Sequence, residues 1–339
     1  MKFGLVPVGE AVGALAAHSV RAGESTVKKG TLVSPEIAMQ LQQAGVETII
    51  AARFEPGDIG EDEAAVRLAR ALAGDNVRVE APFIGRSNLY AETSGVLLID
   101  VDEINGLNAV DEAMTAATLP AYKPVVAGEM VGTVKIIPYA IPEVLLQKGI
   151  GRAGKGALRI APYTRRSVGV VSTVLPGLKP SVIDKTLAVL GKRLEPAQAR
   201  IVQDRRVPHD VGALARQLAD QAEGDTQLIV VFGASAIADR RDVIPSAIEM
   251  AGGRVEHFGM PVDPGNLLLV GSIAGKPVIG APGCARSPKE NGFDWILHRL
   301  LADVPVTRAN IMALGVGGLL MEIVSRPQPR EGGGSDGEE

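Results

Sequence analysis

A single cysteine, Cys284, stands among the 339 residues. That excludes an internal disulfide framework and any multi-cysteine metal centre, and it fits a reducing compartment. Four histidines, at positions 18, 209, 257 and 298, are scattered without the spacing of a metal-ligand set. Aromatic residues make up only 3% of the chain, too few for base-stacking platforms. A net charge of -4 and a pI near 5.7 leave no overall basic field, so nucleic acid is not an expected partner. Local basic clusters can still hold a small anion. No stretch approaches the roughly 18 uninterrupted apolar residues that would cross a bilayer, so no membrane partner is expected either. "MKFGLVPVGEAVGALAAHSV" imitates a signal peptide, but Pro7 and Glu10 interrupt its apolar run. It reads as a strand followed by a helix, and the expected location is the cytoplasm.

What is present is an ordinary soluble composition, 46% hydrophobic and 22% charged, long enough for a large core and for two domains. In "TLVSPEIAMQLQQAGVETIIAARF", Ser34 is placed to cap a helix that starts at Pro35 and ends at Gly45 before a strand. "EPGDIGEDEAAVRLARALAG" then enters a helix whose acidic first turn suits the helix dipole. "GRSNLYAETSGVLLIDVDEINGLNAVDEAM" reads as helix, strand and helix, and "PVVAGEMVGTVKIIPYAI" as strands. Residues 1–160 therefore form an expected mixed α/β domain. The Gly- and base-rich stretch 145–166 marks the domain junction. Within it Gly149, Gly151 and Gly154 satisfy G-x-G-x-x-G. A dinucleotide fingerprint needs a strand before and a helix after, and neither flanks this one.

From Ser167 the pattern alternates regularly. Apolar strands "VGVVSTV", "ARIVQ", "QLIVVF" and "VEHFGMPV" are separated by the helices "PSVIDKTLAVLGKRL", "PHDVGALARQLADQA" and "DVIPSAIEMAG". Fully apolar strands alternating with helices predict a mostly parallel sheet covered on both faces, an α/β domain of three layers over 167–325. "LLLVGSIAGKPVIGAPG" adds a hairpin turning at Ala274, Gly275 and Lys276, and Trp295 marks a further helix. The tail 326–339 has too little apolar content to fold and is expected to be disordered.

In doubly wound sheets, ligands collect beyond the carboxyl ends of the strands, where helix N-termini expose free N–H groups. Four stretches should meet there: "STVLPG", "QDRRVPHD", "FGASAIADRRD" and "GAPGCARSPKENG". Each joins small residues, which admit a ligand to the backbone, with charges just before a helix. Gly233 and Ser235 thus make room at a strand end and become candidate ligand contacts, and Thr173, Pro282, Gly283 and Ser287 stand on the same stretches. Arg240 and Arg241 either neutralise a phosphate or form a solvated loop face. Asp242 is either an N-cap or a functional acid. Arg286 and Lys289 stand where a helix is expected to start, where cations oppose the dipole, and an anionic ligand explains them better than stability does. Ser235 reads more readily as a turn residue than as a nucleophile, because no histidine stands at a recognisable partner spacing. Asp204 and His209 carry similarly bland alternatives, a loop acid and a helix-start polar residue.

Taken in order, these stretches resemble the molybdopterin-binding domain shared by molybdopterin molybdotransferases and adenylyltransferases. "VVSTVLPG" resembles that family's first strand ending in Ser-Thr-Gly, and "IVQDRRVPHDVGAL" its Val-x-Asp strand end before a helix. "FGASAIADRRDVIPSAIEMAGG" resembles the glycine-rich loop leading into Arg-Asp-Val-x-Pro-x-Ala. "GMPVDPGNLLLVGSIAGKPVIGAPGCARSP" resembles the family's final hairpin and its Pro-Gly anion loop. Residues 1–160 resemble the front part of the molybdotransferases.

The resemblance implies a molybdenum-cofactor biosynthesis protein that binds molybdopterin or its adenylylated form and acts in molybdate insertion or nucleotide transfer. A non-catalytic carrier or sensor of the cofactor is the alternative. If the protein is catalytic, the resemblance places Asp242 and Asp204 as catalytic and Mg²⁺-binding carboxylates. Arg240, Arg241 and Arg286 would then lie on the phosphate. The resemblance also adds Thr173, Pro282, Gly283 and Ser287 to the candidate ligand contacts. It further implies a molybdenum-cofactor nucleotidyltransferase as a partner and a homo-oligomeric state. The sequence departs from the family where Val174, Ala234 and Ala238 replace glycines and "PGCARSP" replaces Pro-Gly-Asn-Pro.

Overall fold

The computed structural model describes residues 1–320. The tail expected over 326–339, and the end of the domain expected over 167–325, lie outside the described residues. The chain divides into two compact units, one made of Met1–Thr93 with Leu97–Ile160, the other of Ser94–Val96 with Ala161 onward.

In the first unit, Lys2–Pro7 pairs antiparallel with Thr48–Arg53. The helix expected to follow the first strand is not there. A single 3-10 turn, Val8–Glu10, follows instead, then the short strand Leu15–Ala16. Pro7 offers no side-chain cap, and Gly13 turns the chain with a φ of 81°. The helix Pro35–Gln43 forms where its signals place it, with Ser34 accepting from the Ile37 N–H and Gly45 in the left-handed region. Helix Glu61–Leu72 buries Ala64, Ala65, Leu68, Ala69 and Leu72, one apolar stripe at helical spacing, against the strands of the same unit. Arg86–Ala91 is a strand where a helix was expected, with Ser87, Leu89 and Ala91 buried in strict alternation. Gly149 and Gly151 lie inside the helix Glu143–Arg152, so the G-x-G-x-x-G match opens no phosphate loop.

The second unit holds the site. Its elements are β1 (Ser167–Val174), α1 (Pro180–Leu194), β2 (Arg200–Pro208), α2 (Val211–Glu223), β3 (Leu228–Phe232), α3 (Val243–Met250), β4 (Arg254–Phe258), β5 (Leu269–Ile273), β6 (Lys276–Ala281) and α4 (Gly292–Leu301). They form one six-stranded sheet in the order β2-β1-β3-β6-β5-β4. β1 pairs parallel with β2 and β3, and β3 with β6, whereas β5 runs antiparallel to both its neighbours. Register brings the parallel strands to a common edge: Val174 lies opposite Pro208, Ser172 opposite Phe232, and Phe232 opposite Ala281.

Alternation along the strands separates the two faces. Val171, Ile229 and Val231 share an apolar core with Leu214 and Leu218 of α2 and Ile244 and Ile248 of α3. Phe232 points the other way and meets Phe293 of α4, ring centroids 6.5 Å apart. Each fully buried aliphatic side chain of this kind contributes about 1.5–3 kcal/mol through removal from water. This packing fixes where the strand ends stand.

Candidate functional site at the carboxyl edge of the sheet

Thr173 is the last inward-facing residue of β1, and its hydroxyl is buried. It accepts a hydrogen bond from the Ala234 N–H at 2.8 Å, so the end of β1 holds down the turn that leaves β3. That turn is tight. A Cβ on Gly233 would sit 2.5 Å from the Ser235 carbonyl oxygen, so glycine is required by close approach. His209, one residue beyond β2, fits between the two loops, with Nδ1 2.9 Å from the Thr173 hydroxyl and Nε2 3.2 Å from the Ser235 hydroxyl. Ser235 itself is exposed.

On the other face, Arg286 reaches the same turn. Its guanidinium donates to the Gly233 carbonyl at 2.9 Å and to the Thr186 hydroxyl at 3.0 Å, and lies 5.4 Å from the Phe232 ring centroid. It is half-buried, and burial lowers its pKa. Among the described residues no carboxylate forms an ion pair with it. Two of its five N–H groups are engaged, which leaves the cation capacity for an anion at the edge. Pro282 is buried and Gly283 exposed at the end of β6, and they lead into the 3-10 turn Gly283–Arg286. Arg286 and Lys289 therefore precede α4, which starts at Gly292, and do not open a helix as expected.

A buried arginine that the sequence does not advertise holds this last loop. Arg193, on the final turn of α1, donates to the carbonyls of Ala285, Ser287 and Lys289 and pairs with Asp294 at 2.5 Å. The Ser287 hydroxyl accepts from the Lys289 N–H, so its polar capacity is used inside the loop. Cys284 is half-buried, and burial raises its thiol pKa, as suits a structural thiol.

The expected metal carboxylates do not assemble. Asp242 accepts from the Val243 N–H at 2.7 Å with one oxygen and from the Ala238 N–H at 3.0 Å with the other. It caps α3 and closes the loop before it. Asp204 is not at a strand end, because β2 continues to Pro208 alongside β1, and Asp204 lies opposite Val170. At about 3.3 Å per residue, four residues place it about 13 Å from the edge. One of its oxygens is 3.3 Å from Arg206, and the other is buried without a hydrogen-bond partner. Among the described residues no group of three or more His, Cys, Asp or Glu side chains could hold a metal ion. Asp242 thus has both oxygens engaged by backbone N–H groups, and the one unpartnered oxygen of Asp204 is buried along β2, away from the strand ends where Mg²⁺ was expected. Arg241 pairs with Asp239 at 2.7 Å and is 91% exposed, and Arg240 is exposed too, which favours the solvated-face reading for both.

The structure thus brings together Thr173, Gly233, Ser235 and Arg286, with Pro282 and Gly283 on the same edge, and leaves Asp204 apart. His209, for which a helix-start polar role was the alternative, joins them, and so does Arg193, which was not singled out. The signal for His209 was its place just past a parallel strand. For Arg193 there was none, since its partners lie about a hundred residues away.

Residues 169–303 match the family described as the probable molybdopterin binding domain, and residues 5–53 match a domain of unknown function, DUF8806. The resemblance of the second unit to the molybdopterin-binding domain family is therefore shown. Among solved structures, the molybdopterin biosynthesis MoeA protein from Pyrococcus horikosii is 15% identical, with 89% of this chain and 75% of that one covered, at a TM-score of 0.33. The molybdopterin biosynthesis Mog protein from Mycobacterium ulcerans is 12% identical over 42% of this chain and 100% of its own, at a TM-score of 0.27. At these scores the structural likenesses carry no argument about function. No curated protein matches the sequence. No helix among the described residues is long and apolar enough to cross a membrane.

Proposed function

We propose that the second unit, as a three-layer α/β domain, binds molybdopterin or its adenylylated form along the carboxyl edge of its sheet. In this reading the protein serves molybdenum-cofactor biosynthesis as a carrier or sensor. The observation that carries the proposal is Arg286, a half-buried guanidinium with no carboxylate partner among the described residues, held against the Gly233 turn. A phosphate placed there would supply the missing negative charge and take the remaining N–H groups of Arg286. The Ser235 hydroxyl and backbone N–H groups of the 282–284 loop would share it. The carrier or sensor reading is favoured over Mg²⁺-dependent molybdate insertion or nucleotide transfer, because Asp242 spends both oxygens on backbone N–H groups and Asp204 lies inside β2.

The test is a titration of the full chain with molybdopterin, followed through Trp295, the single tryptophan. Charged hydrogen bonds of this kind contribute about 1.5–3 kcal/mol, so Arg286→Met should weaken binding about 10- to 150-fold. Arg286→Lys should recover part of that loss. Equal affinity in wild type and Arg286→Met, or no binding by the wild type, would refute the proposal. Addition of Mg²⁺ with ATP or molybdate should leave bound molybdopterin unconverted.

A further inference from the structure

The Thr173, His209 and Ser235 side chains form a line from the buried end of β1 to the exposed edge, in the arrangement of an orienting group, a base and a hydroxyl nucleophile. Hydrogen-bond accounting at Thr173 argues for a different role. A threonine hydroxyl has one proton to give. Its oxygen already accepts from the Ala234 N–H, and among the described contacts its only acceptor is Nδ1 of His209. If Nδ1 carried the ring proton, the buried Thr173 proton would have no acceptor, a costly state. If Nδ1 is bare, every group is satisfied: Thr173 donates to Nδ1, and the proton on Nε2 is donated to the Ser235 oxygen. Ser235 then accepts from the ring and keeps its own proton, which points out from the edge.

We infer that His209 is a positioning residue which fixes the Ser235 hydroxyl as an outward hydrogen-bond donor to the anionic ligand, and does not activate it as a nucleophile. This rests on the molybdopterin reading only for the ligand's identity. The tautomer follows from the free protein alone. Ala234 keeps its N–H committed to Thr173, so a side-chain donor stands where a more open loop would offer backbone. Ser235 belongs to the turn whose Gly233 carbonyl Arg286 holds, so both donors stand at the same strand end.

The experiment is long-range proton–nitrogen NMR correlation on the full chain with labelled histidine, the His209 signals being identified by their loss in His209→Gln. The expected pattern at neutral pH is a proton on Nε2 in wild type, retained in Thr173→Ser and no longer enforced in Thr173→Val. A proton on Nδ1 in wild type, or covalent labelling of Ser235 by a fluorophosphonate, would overturn the inference. In titrations with inorganic phosphate, Ser235→Ala and His209→Ala should each weaken binding about 2- to 10-fold, and the double variant no further. Unchanged phosphate affinity in Ser235→Ala would also overturn it. Should the tautomer and phosphate results hold while molybdopterin fails to bind, this inference stands and the proposed function alone falls.

Discussion

Arg193→Met should destabilise the second unit more than most single substitutions. Arg193 is only 9% exposed, pairs with Asp294, satisfies three loop carbonyls and lies 5.7 Å from the Phe293 ring centroid. Methionine replaces the packing of the stem but none of the donors, so the Asp294 carboxylate loses its cation. Asp294 still accepts from the Asn291 N–H in the capping box of α4, so it is not stripped of every partner. Breaking one side of a buried pair costs about 3–5 kcal/mol. For a unit of this size that is a fall in midpoint of about 10 °C. Thermal and urea unfolding followed by Trp295 fluorescence reads this unit alone, since the single tryptophan sits on α4 beside Asp294. Adding Asp294→Asn to Arg193→Met should return about 1–2 kcal/mol, because the stranded charge is removed while an acceptor for Asn291 remains. An Arg193→Met protein that unfolds within about 1 kcal/mol of wild type would show that the 285–289 loop is held by other contacts, and would remove the reason for treating Arg286 as fixed.

Two further outcomes follow from individual contacts. Asp242→Ala should cost about 1 kcal/mol as a lost N-cap, whereas Asp242→Asn, which keeps an acceptor, should cost less. Mg²⁺ should raise the melting point of wild type no more than that of Asp242→Asn, and a wild-type-specific rise would reinstate Asp242 as a metal ligand. In the first unit, the Arg67 guanidinium, 2.5 Å away, and the Gln147 amide hold the Glu143 carboxyl at about 2. A depressed carboxyl stabilises the fold above its ordinary value near 4.5 and loses that contribution as the pH falls through about 2. Hydrogen exchange across 143–152 should therefore separate wild type from Glu143→Gln at pH 6 and bring the two together near pH 2. A separation independent of pH would sink this assignment.

The architecture was largely legible because strand hydropathy and helix periodicity are local quantities. Ser34, Pro35 and Gly45 announce a helix within twelve residues, and the apolar runs from Ser167 announce a sheet. Misreadings occurred where burial and polarity disagree. Ser87 and Asn88 disguise the alternation of Arg86–Ala91, although Ser87 is fully buried and donates to the Glu80 carbonyl. The charges of Asp204, Arg205 and Arg206 seemed to end β2, yet an edge strand can carry them outward while its backbone continues to pair with β1. The N-terminal apolar run had helix-compatible residues but lacked a cap.

Site chemistry obeys a different logic, because its contacts span the order of strands and not the order of residues. His209 and Ser235 are 26 positions apart, and no spacing rule links them. They meet because β1 lies between β2 and β3 in the sheet, so the residues that follow β2 and β3 flank the end of β1 and converge on Thr173. The same topology explains why Asp204 stands back from the strand ends. One residue of misjudged strand length moves a side chain by about 3.3 Å and to the opposite face, and five residues of extra strand carried the turn after β2 well past the acid. The Ala234 contact then reads as part of the same arrangement. With the Ala234 N–H tied to Thr173, the polar contact in the proposed site falls to the hydroxyl of Ser235 and the guanidinium of Arg286.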